Sequence, residues 1–380
     1  MAKTKAEVMW AHFESLEDPR GAGRNTRHLL KDIIVMVVVA YCCGMKSLEA
    51  CAHFAKMQES WFQKFLELPN GVPSHDTFRR VFSLIDVEAF GRCFTSWTSA
   101  LAPLPEGDII PIDGKTIRRS GGKGERSLHV VSAWSQANGL VLGQVSAEEK
   151  SNEITAIPKL IESLRIEGCI VTIDAMGCQT AIAEAIIDKG AHYILAVKDN
   201  QPSLHDEIQS HFDGSSPEIE GTEAMKVHEE SDKGHGRIET RKIFVSGNIE
   251  ALVEAERWSC IASVIRVDST RTLKEQTSVE TRHFISSLPA DDAKKFLDAI
   301  RGHWEIENKL HWCLDVTFGE DSALLRGRQL AENGSTVRRM ALNSLRVHPD
   351  FKGNLARATR AAAFDHGFRE KLIKSIISNA

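Results

Sequence analysis

Two kinds of hydrophobic spacing divide the chain. Through about residue 100, apolar positions run continuously or recur every three to four residues, the spacing that places them on one face of a helix. HLLKDIIVMVVVAYCCG, MKSLEACAHFAKMQESWFQKFLEL and SHDTFRRVFSLIDVEAFGRCFTSWTSAL each predict one helix, and LPNGVPS between the last two predicts a turn. Ser74 or Asp76 is placed to cap the helix that follows that turn. After APLPEGD the pattern shortens to strand length. IIPIDGKTI, LHVVSAWSQ and GLVLGQVSAEE read as three successive strands separated by turn residues. A helical EITAIPKLIESLRIEG, a short strand CIVTIDAMG, a helix TAIAEAIIDKG ending on Gly190, a strand AHYILAVKDN and a helix QPSLHDEIQSHF follow. Three sequential strands and then strand–helix–strand–helix predict an α/β fold, a mixed sheet covered by helices.

From about 213 to 290 the helical spacing fades. KVHEES, RIETRKIFVSG, RWSCIASVIRVD and VETRHFISSL predict strands, read here as a β-rich insertion. ADDAKKFLDAIRGHWEIENKLHWCLDV then predicts one uninterrupted helix, and STVRRMALNSLR and REKLIKSII two more. The expected divisions are a helical N-terminal unit over 1–100 and the first part of the α/β unit over 106–212. The insertion covers 213–290, a helical stretch completing the α/β unit 291–325, and a helical C-terminal region 326–380.

Composition adds limits. Of the 380 residues 42% are apolar and 26% charged, as in an ordinary folded chain. Eight cysteines with no CxxC pair fit a reducing compartment, and the N-terminal segment lacks a secretory pattern, so a cytoplasmic protein is expected. DIIVMVVVAYCCG falls short of the roughly 20 apolar residues that span a bilayer, which predicts a buried helix and no membrane partner. The net charge of −5 excludes a uniformly cationic nucleic-acid binder. Yet Lys115, Arg118, Arg119, Lys123 and Arg126 cluster in one segment, and Arg326, Arg328, Arg338, Arg339 and Arg346 in another, which permits local contact with DNA.

The chemistry lies in carboxylates. Asp113 and Asp174 each end a short apolar strand, where burying an acid is expensive unless it is paired or binds metal. Two aspartates at strand ends of one sheet can converge on a hard divalent ion such as Mg²⁺, completed by water and substrate phosphate. Helical spacing puts His303, Glu307 and His311 roughly on one face, with Glu305 turned away. Glu305, Asp315, Glu320 and Asp321 stand close enough to compete with Glu307 for a third ligand role, and the two histidines with Glu307 also suit a transition metal. No glycine-rich phosphate loop is present.

PIDGKTIRRS, TIDAMGCQ and HWEIENKLHWCLDVTFGED, in that order, resemble the three acidic segments of bacterial insertion-sequence transposases of the DDE type, in the group that includes the H-repeat-associated proteins. VPSHDTFRRVF, AVKDNQP, HGRIETR and AENGSTVRRMALNSLR extend the likeness over nearly the whole chain. The resemblance implies a ribonuclease-H-like catalytic fold. It makes Asp113, Asp174 and Glu307 the catalytic, metal-holding triad and singles out Glu307 among its neighbours. It further implies metal-dependent cleavage and strand transfer at terminal inverted repeats, with two Mg²⁺ ions (Mn²⁺ as substitute) about 3.5–4 Å apart. Double-stranded DNA is the expected partner, both element ends and target. A homodimer or higher assembly on DNA and a nucleoid-associated location follow. The family's tyrosine, arginine and lysine around the glutamate correspond here to Ile300, His303 and Leu314. His303 is expected near a phosphate in the arginine's place, whereas Leu314 cannot replace a lysine.

Lys115, Arg118, Arg119, Arg79 and Arg80 are the candidate backbone contacts, since phosphate contacts mainly position a duplex. Asp199 and Asn200 are expected either to border the site or to cap a helix. His235, Arg237, Glu239 and Arg241 are expected to touch DNA or to form a salt-bridged hairpin. The competing functions are a metal-dependent nuclease that does not join ends and a catalytically inactive DNA-binding relic.

Overall fold

The strand-length spacing after residue 106 builds one sheet. The computed structural model describes residues 8–377 apart from 22, 24–25, 122–125, 148–152, 215–224, 235–236 and 274–275; Lys123 and His235 lie outside the described residues. Nine strands, β1 (Ile109–Thr116), β2 (His129–Ser135), β3 (Leu140–Ala147), β4 (Ile170–Ile173), β5 (His192–Val197), β6 (Lys226–Gly234), β7 (Arg237–Ser246), β8 (Ser263–Leu273) and β9 (Gln276–Ser286), are ordered β3-β2-β1-β4-β5-β9-β8-β7-β6. β1, β4 and β5 are parallel, and the hairpin neighbours β2 and β3 are antiparallel. This is a mixed α/β sheet of the ribonuclease-H-like kind. The β-rich insertion is no separate sheet: β9 pairs antiparallel with β5, so β6–β9 continue the same one. Backbone groups left free at the edge of β5 demand partners, and the returning chain supplies them.

Fourteen helices accompany the sheet among the described residues. Those preceding it are α1 (Val8–Phe13), α2 (Leu30–Cys42), α3 (Leu48–Met57), α4 (Glu59–Phe62), α5 (His75–Leu84) and α6 (Val87–Leu101). α7 (Glu153–Ser163), α8 (Thr180–Asp188) and α9 (Pro202–Gly214) connect strands, and α10 (Ala293–His303), α11 (Trp312–Val316), α12 (Arg328–Arg346), α13 (Leu355–Phe364) and α14 (His366–Ile377) follow the last. Ile110, Ile112, Val171 and Ile173 point into a core shared with α7 and α8, while alternate residues face α10. A third core joins α2 and α5 to α12 and to Val130, Trp134 and Val141 of the sheet.

Two of the expected N-terminal helices are broken. The second becomes α3 and α4. The third becomes α5 and α6, because Ile85 is extended (ψ 130°) and the Asp86 carboxylate then accepts a hydrogen bond from the Ala89 amide at 2.7 Å, capping a new helix. Ser74 occupies the cap position of α5 without a side-chain bond to its backbone. α2 is buried as expected, and among the described residues no helix is long and apolar enough to cross a membrane.

α12 departs furthest from its sequence pattern. Its residues are mostly polar, yet Leu330 through Leu345 are all buried. Asn343 donates to the Val141 carbonyl at 2.9 Å and accepts from the Val141 amide at 2.9 Å, and Asn333 donates to the carbonyls of Phe82 and Ile85. A helix rich in polar side chains can lie inside when most of them find partners; the Arg338 guanidinium instead lies over the Tyr41 ring.

The joint between β5 and β9 yields a pH prediction. His283, opposite Val197, is buried with its Nδ1 3.1 Å from Nε2 of His205. Burial, then His205 and Arg266, push its pKa down to about 4. In the unfolded chain the ring takes its proton near 6.5, so the stability it contributes is complete above that pH and is lost as pH falls toward 4. Urea denaturation across pH 7.5 to 4 should show about 2 kcal/mol more loss in the native chain than in His283→Gln.

Candidate metal centre

β4 stops before β1 does. The last registered pair is Ile112 with Ile173, while β1 continues beside β2 from Asp113 to Thr116. Asp113 and Asp174 are the next residues of the two parallel strands, whose backbones lie about 4.8 Å apart. Both therefore emerge where the sheet opens. Alternation turns them away from the Ile112 and Ile173 core toward the face covered by α10, where Thr172 Oγ1 lies 3.1 Å from His303 Nδ1.

Past the opening, the turn carrying Asp174 is held from both ends. Its Oδ1 accepts from the amides of Met176 and Gly177 at 3.1 and 3.4 Å, capping a short 3₁₀ turn over Ala175–Gly177. The next segment clamps it: the Asn200 side chain donates to the Ala175 carbonyl at 2.6 Å and that of Gln201 to the Cys178 carbonyl at 2.9 Å. Asn200 thus borders the site by fixing the Asp174 turn, and Asp199 beside it is exposed.

The helix expected to run unbroken through Glu307 is interrupted. α10 ends at His303, and after Trp304 the backbone widens into a π-helical turn over Glu307–His311, closed by the Trp312 amide donating to the Glu307 carbonyl. Single π turns recur at functional sites. Gly302 lets this helix approach the sheet, since a Cβ there would stand 2.6 Å from the Gln136 side-chain oxygen. Glu307 and His311 consequently hang over Asp113. One ligand atom from each of Asp113, Glu307 and His311 lies within 4.8 Å of the others. His311 Nδ1 is 3.5 Å from Asp113 Oδ2 and 3.4 Å from Glu307 Oε2. Asp174 is exposed and stands outside this group.

Electrostatics separates the acids. Burial pushes Asp113 up to about 6; the His311 charge opposes this and Glu307 adds to it. Glu307 moves the other way, held down first by its hydrogen bond to His311. Two carboxylates at this distance do not both ionise at no cost. Every competitor of Glu307 is already matched. Asp315 and Asp321 contact Lys115 Nζ at 2.8 and 2.9 Å, Glu320 is bound to Arg339 at 3.0 Å, and Glu305 pairs with Lys309 at 2.7 Å. The residues left over, Asp113 and Glu307, have the chemistry of a divalent-cation site: a half-buried carboxylate facing a second one, with an imidazole as the nearby counter-group.

The expected cations are less uniform. Lys115 is buried at 9% exposure among Asp315, Glu320 and Asp321, so its charge is committed inside the fold rather than presented to a phosphate. Arg118 is exposed at the rim with one contact to Asp321, and Arg119 is exposed in a left-handed conformation (φ 62°). Arg79 and Arg80 are exposed on α5 and form no ion pair with a described residue. His303 is packed against Thr172, its pKa pushed down by burial against the pull of Asp174 and Glu307. Ile300 and Leu314 both face the core. The basic tail turns inward: Arg339 is fully buried and Arg338 nearly so, over the Tyr41 ring. On β7, Arg237 and Arg241 converge on Glu239, joined by Arg271 from the neighbouring β8, the salt-bridged alternative.

Of the two histidines that helical spacing grouped with Glu307 as candidate metal ligands, His311 joins Glu307 and Asp113 and His303 does not. One further feature was not assigned by pattern. The buried pair His129–Glu153 (Nε2 to Oε1 2.5 Å) lies against Gly114, where a Cβ would come within 2.4 Å of both side chains. No local signal joins residues so far apart in sequence. A cleft of about 520 Å³ opens beside the acids, lined by Gly114, Thr116, Arg118, His129, Glu307 and Trp312 among others.

Residues 104–344 match the family model described as Transposase DDE domain, and residues 10–98 match that described as DDE_Tnp_1-associated. The chain belongs to the DDE transposase family. It is 40% identical over 370 residues to the chain named "Putative transposase YncI" of Escherichia coli O157:H7, covering 96% of this chain and 94% of that one. It is 36% identical over 367 residues to "H repeat-associated putative transposase YhhI" of Escherichia coli strain K12, covering 94% and 95%. A chain named "Uncharacterized protein in dhlA 3'region" from Xanthobacter autotrophicus is 42% identical over 283 residues, 73% of this transposase-family chain and 94% of that one. Among solved structures, the piggyBac transposase synaptic complex with hairpin DNA aligns at a TM-score of 0.47 and 8% identity, over 98% of this chain and 77% of that one.

The matched acids give a stability prediction. Burial pushes the Glu320 carboxyl up, but Arg339, Arg338 and Lys115 outweigh it and hold the pKa below the usual range. Glu320→Gln should cost about 3–5 kcal/mol in denaturant unfolding, because it leaves buried cations uncompensated. The double variant Glu320→Leu/Arg339→Met should cost less than that single change.

Proposed function

We propose that this transposase-family chain cleaves DNA at the ends of an insertion element and joins them to a target, using divalent metal held by Asp113, Glu307 and Asp174. The observation that carries the reading is the convergence of Asp113, Glu307 and His311 ligand atoms within 4.8 Å at the place where the sheet opens. Mg²⁺, with Mn²⁺ as substitute, would supply an activated oxygen nucleophile and neutralise charge on the leaving oxygen.

The chain's own residues supply position and field. Asp113 comes from the central strand and Glu307 from the π turn above it, and neither has a lysine or arginine partner among the described residues. Asp174, fixed by its capped turn and by Asn200, approaches from the adjacent strand. The neighbouring cleft includes Glu307, Asp315 and Asp321 against Lys115 and Arg118. That lining repels a bare phosphodiester and admits one accompanied by cations. Arg118 and Arg119 at the rim, and Arg79 and Arg80 on α5, are suited to backbone phosphates, each worth a share of salt-dependent affinity. Joining requires two element ends in one complex, so a homodimer or larger assembly on DNA, at the nucleoid, accompanies this reading. The absence of a lysine at position 314 leaves the second-strand step without the cation that the wider family brings.

Terminal inverted repeats flanking the gene provide the substrate. Asp113→Ala and Glu307→Ala should lower Mg²⁺-dependent cleavage of such ends by on the order of 10³-fold, the loss of about 4 kcal/mol of charge stabilisation, while gel-shift binding persists. Cleavage that survives these changes would remove the triad from the mechanism. Cleavage without joining to supercoiled target DNA would reduce the activity to that of a nuclease.

A further inference from the structure

We infer that His311 is a nitrogen ligand of the divalent ion, adding an imidazole to the carboxylate donors of the site. The inference rests on the metal-dependent reading above and sharpens it.

His311 is 4% exposed, so its ring cannot satisfy itself in solvent. Its Nδ1 points between the two carboxylates, 3.5 Å from Asp113 and 3.4 Å from Glu307. Those separations are long for hydrogen bonds, which prefer about 2.7–3.2 Å. They suit donors that share one ion: ligands held at about 2.0–2.2 Å from a common centre stand roughly 3.0–3.6 Å from each other. The other nitrogen, Nε2, has no hydrogen-bond partner among the described residues, so no bond there turns the ring another way.

The backbone gives a second, independent reason. The π turn begins at Glu307 and ends at His311, and its closing bond from the Trp312 amide to the Glu307 carbonyl is one residue longer than an α-helical bond. An ordinary α turn would close that bond from His311 itself. The widened turn sets the relation between exactly the two side chains that meet over Asp113, and neither end is needed to reach the core, which Ile306, Leu310 and Leu314 already fill. His303, the other histidine of this helix, is engaged at Nδ1 by Thr172 and does not belong to the cluster.

An imidazole donor changes which ion the site prefers. Mg²⁺ takes oxygen ligands and keeps several waters, whereas first-row divalent ions accept imidazole nitrogen more readily along the series that begins with Mn²⁺. The site should therefore favour Mn²⁺ over Mg²⁺ more than a site of oxygen donors alone would.

The test is spectroscopic and does not depend on turnover. Mn²⁺ is titrated into the full-length chain and the bound ion is examined by pulsed electron paramagnetic resonance for nitrogen modulation. The expected result is ¹⁴N modulation that changes to the ¹⁵N pattern when the native chain carries ¹⁵N-labelled histidine, a measurement that needs no substitution. The modulation should vanish in His311→Gln and remain in His303→Gln. Mn²⁺ should bind about tenfold more weakly to His311→Gln, with a smaller change for competing Mg²⁺. Bound Mn²⁺ that needs Asp113 but shows no histidine nitrogen overturns the ligand assignment and leaves the metal-dependent reading standing. Modulation lost in His303→Gln and kept in His311→Gln overturns it as well. Mn²⁺ that binds the native chain no better than Asp113→Asn overturns both.

Discussion

The carboxylate of Glu320 has no exposed surface, and its charge is tolerable only because Arg339 meets it at 3.0 Å. Arg339 also reaches Ser132 on β2 and Ser335 on its own helix, while Lys115 on β1 stands 3.7 Å from the other side of Glu320. This small buried network fastens the central strands, the segment after α11 and helix α12 to one another. Buried ion pairs contribute little net stability against an apolar replacement. What they impose is register, since misalignment strands a charge in the core. The segment that carries Glu307 is thereby held at a fixed distance above β1.

That network also explains why so acidic a neighbourhood leaves a usable site. Asp315, Glu320 and Asp321 are matched by Lys115 and Arg339, and Glu305 by Lys309. Asp113 and Glu307 are not matched by a lysine or arginine among the described residues, and the Glu307 charge opposes ionisation of the buried Asp113. The fold brings these two carboxylates and the His311 imidazole together where β4 ends before β1 and the sheet opens. Packing supports the same point from beneath: Gly114 admits the His129–Glu153 pair against the backbone next to Asp113, and Asn200 and Gln201 hold the turn after Asp174.

Much of this was legible along the chain. Strand-length runs and turn residues marked all nine strands, because a strand's burial is written locally in consecutive residues. The two aspartates stood out because an acid ending an apolar run demands an explanation. Helix breaks were less visible: α5 and α6 share a continuous apolar spacing, and only the extended Ile85 and the cap at Asp86 divide them. The π turn at Glu307 has no composition of its own.

By itself, then, the sequence determined the strands, the mixed sheet and, through its ordered motifs, the family and the candidate acids. Only the tertiary structure decided which charges are free. Arg338, Arg339 and Lys115 look alike with Arg118 and Arg119 in the sequence, yet the first three are buried and the last two exposed. The same holds for the acids around Glu307 and for His311, whose neighbour Asp113 lies on a strand far away in the chain. The reason is physical. Burial and pairing of a charge depend on what other segments bring to it, and that information resides in contacts between distant residues.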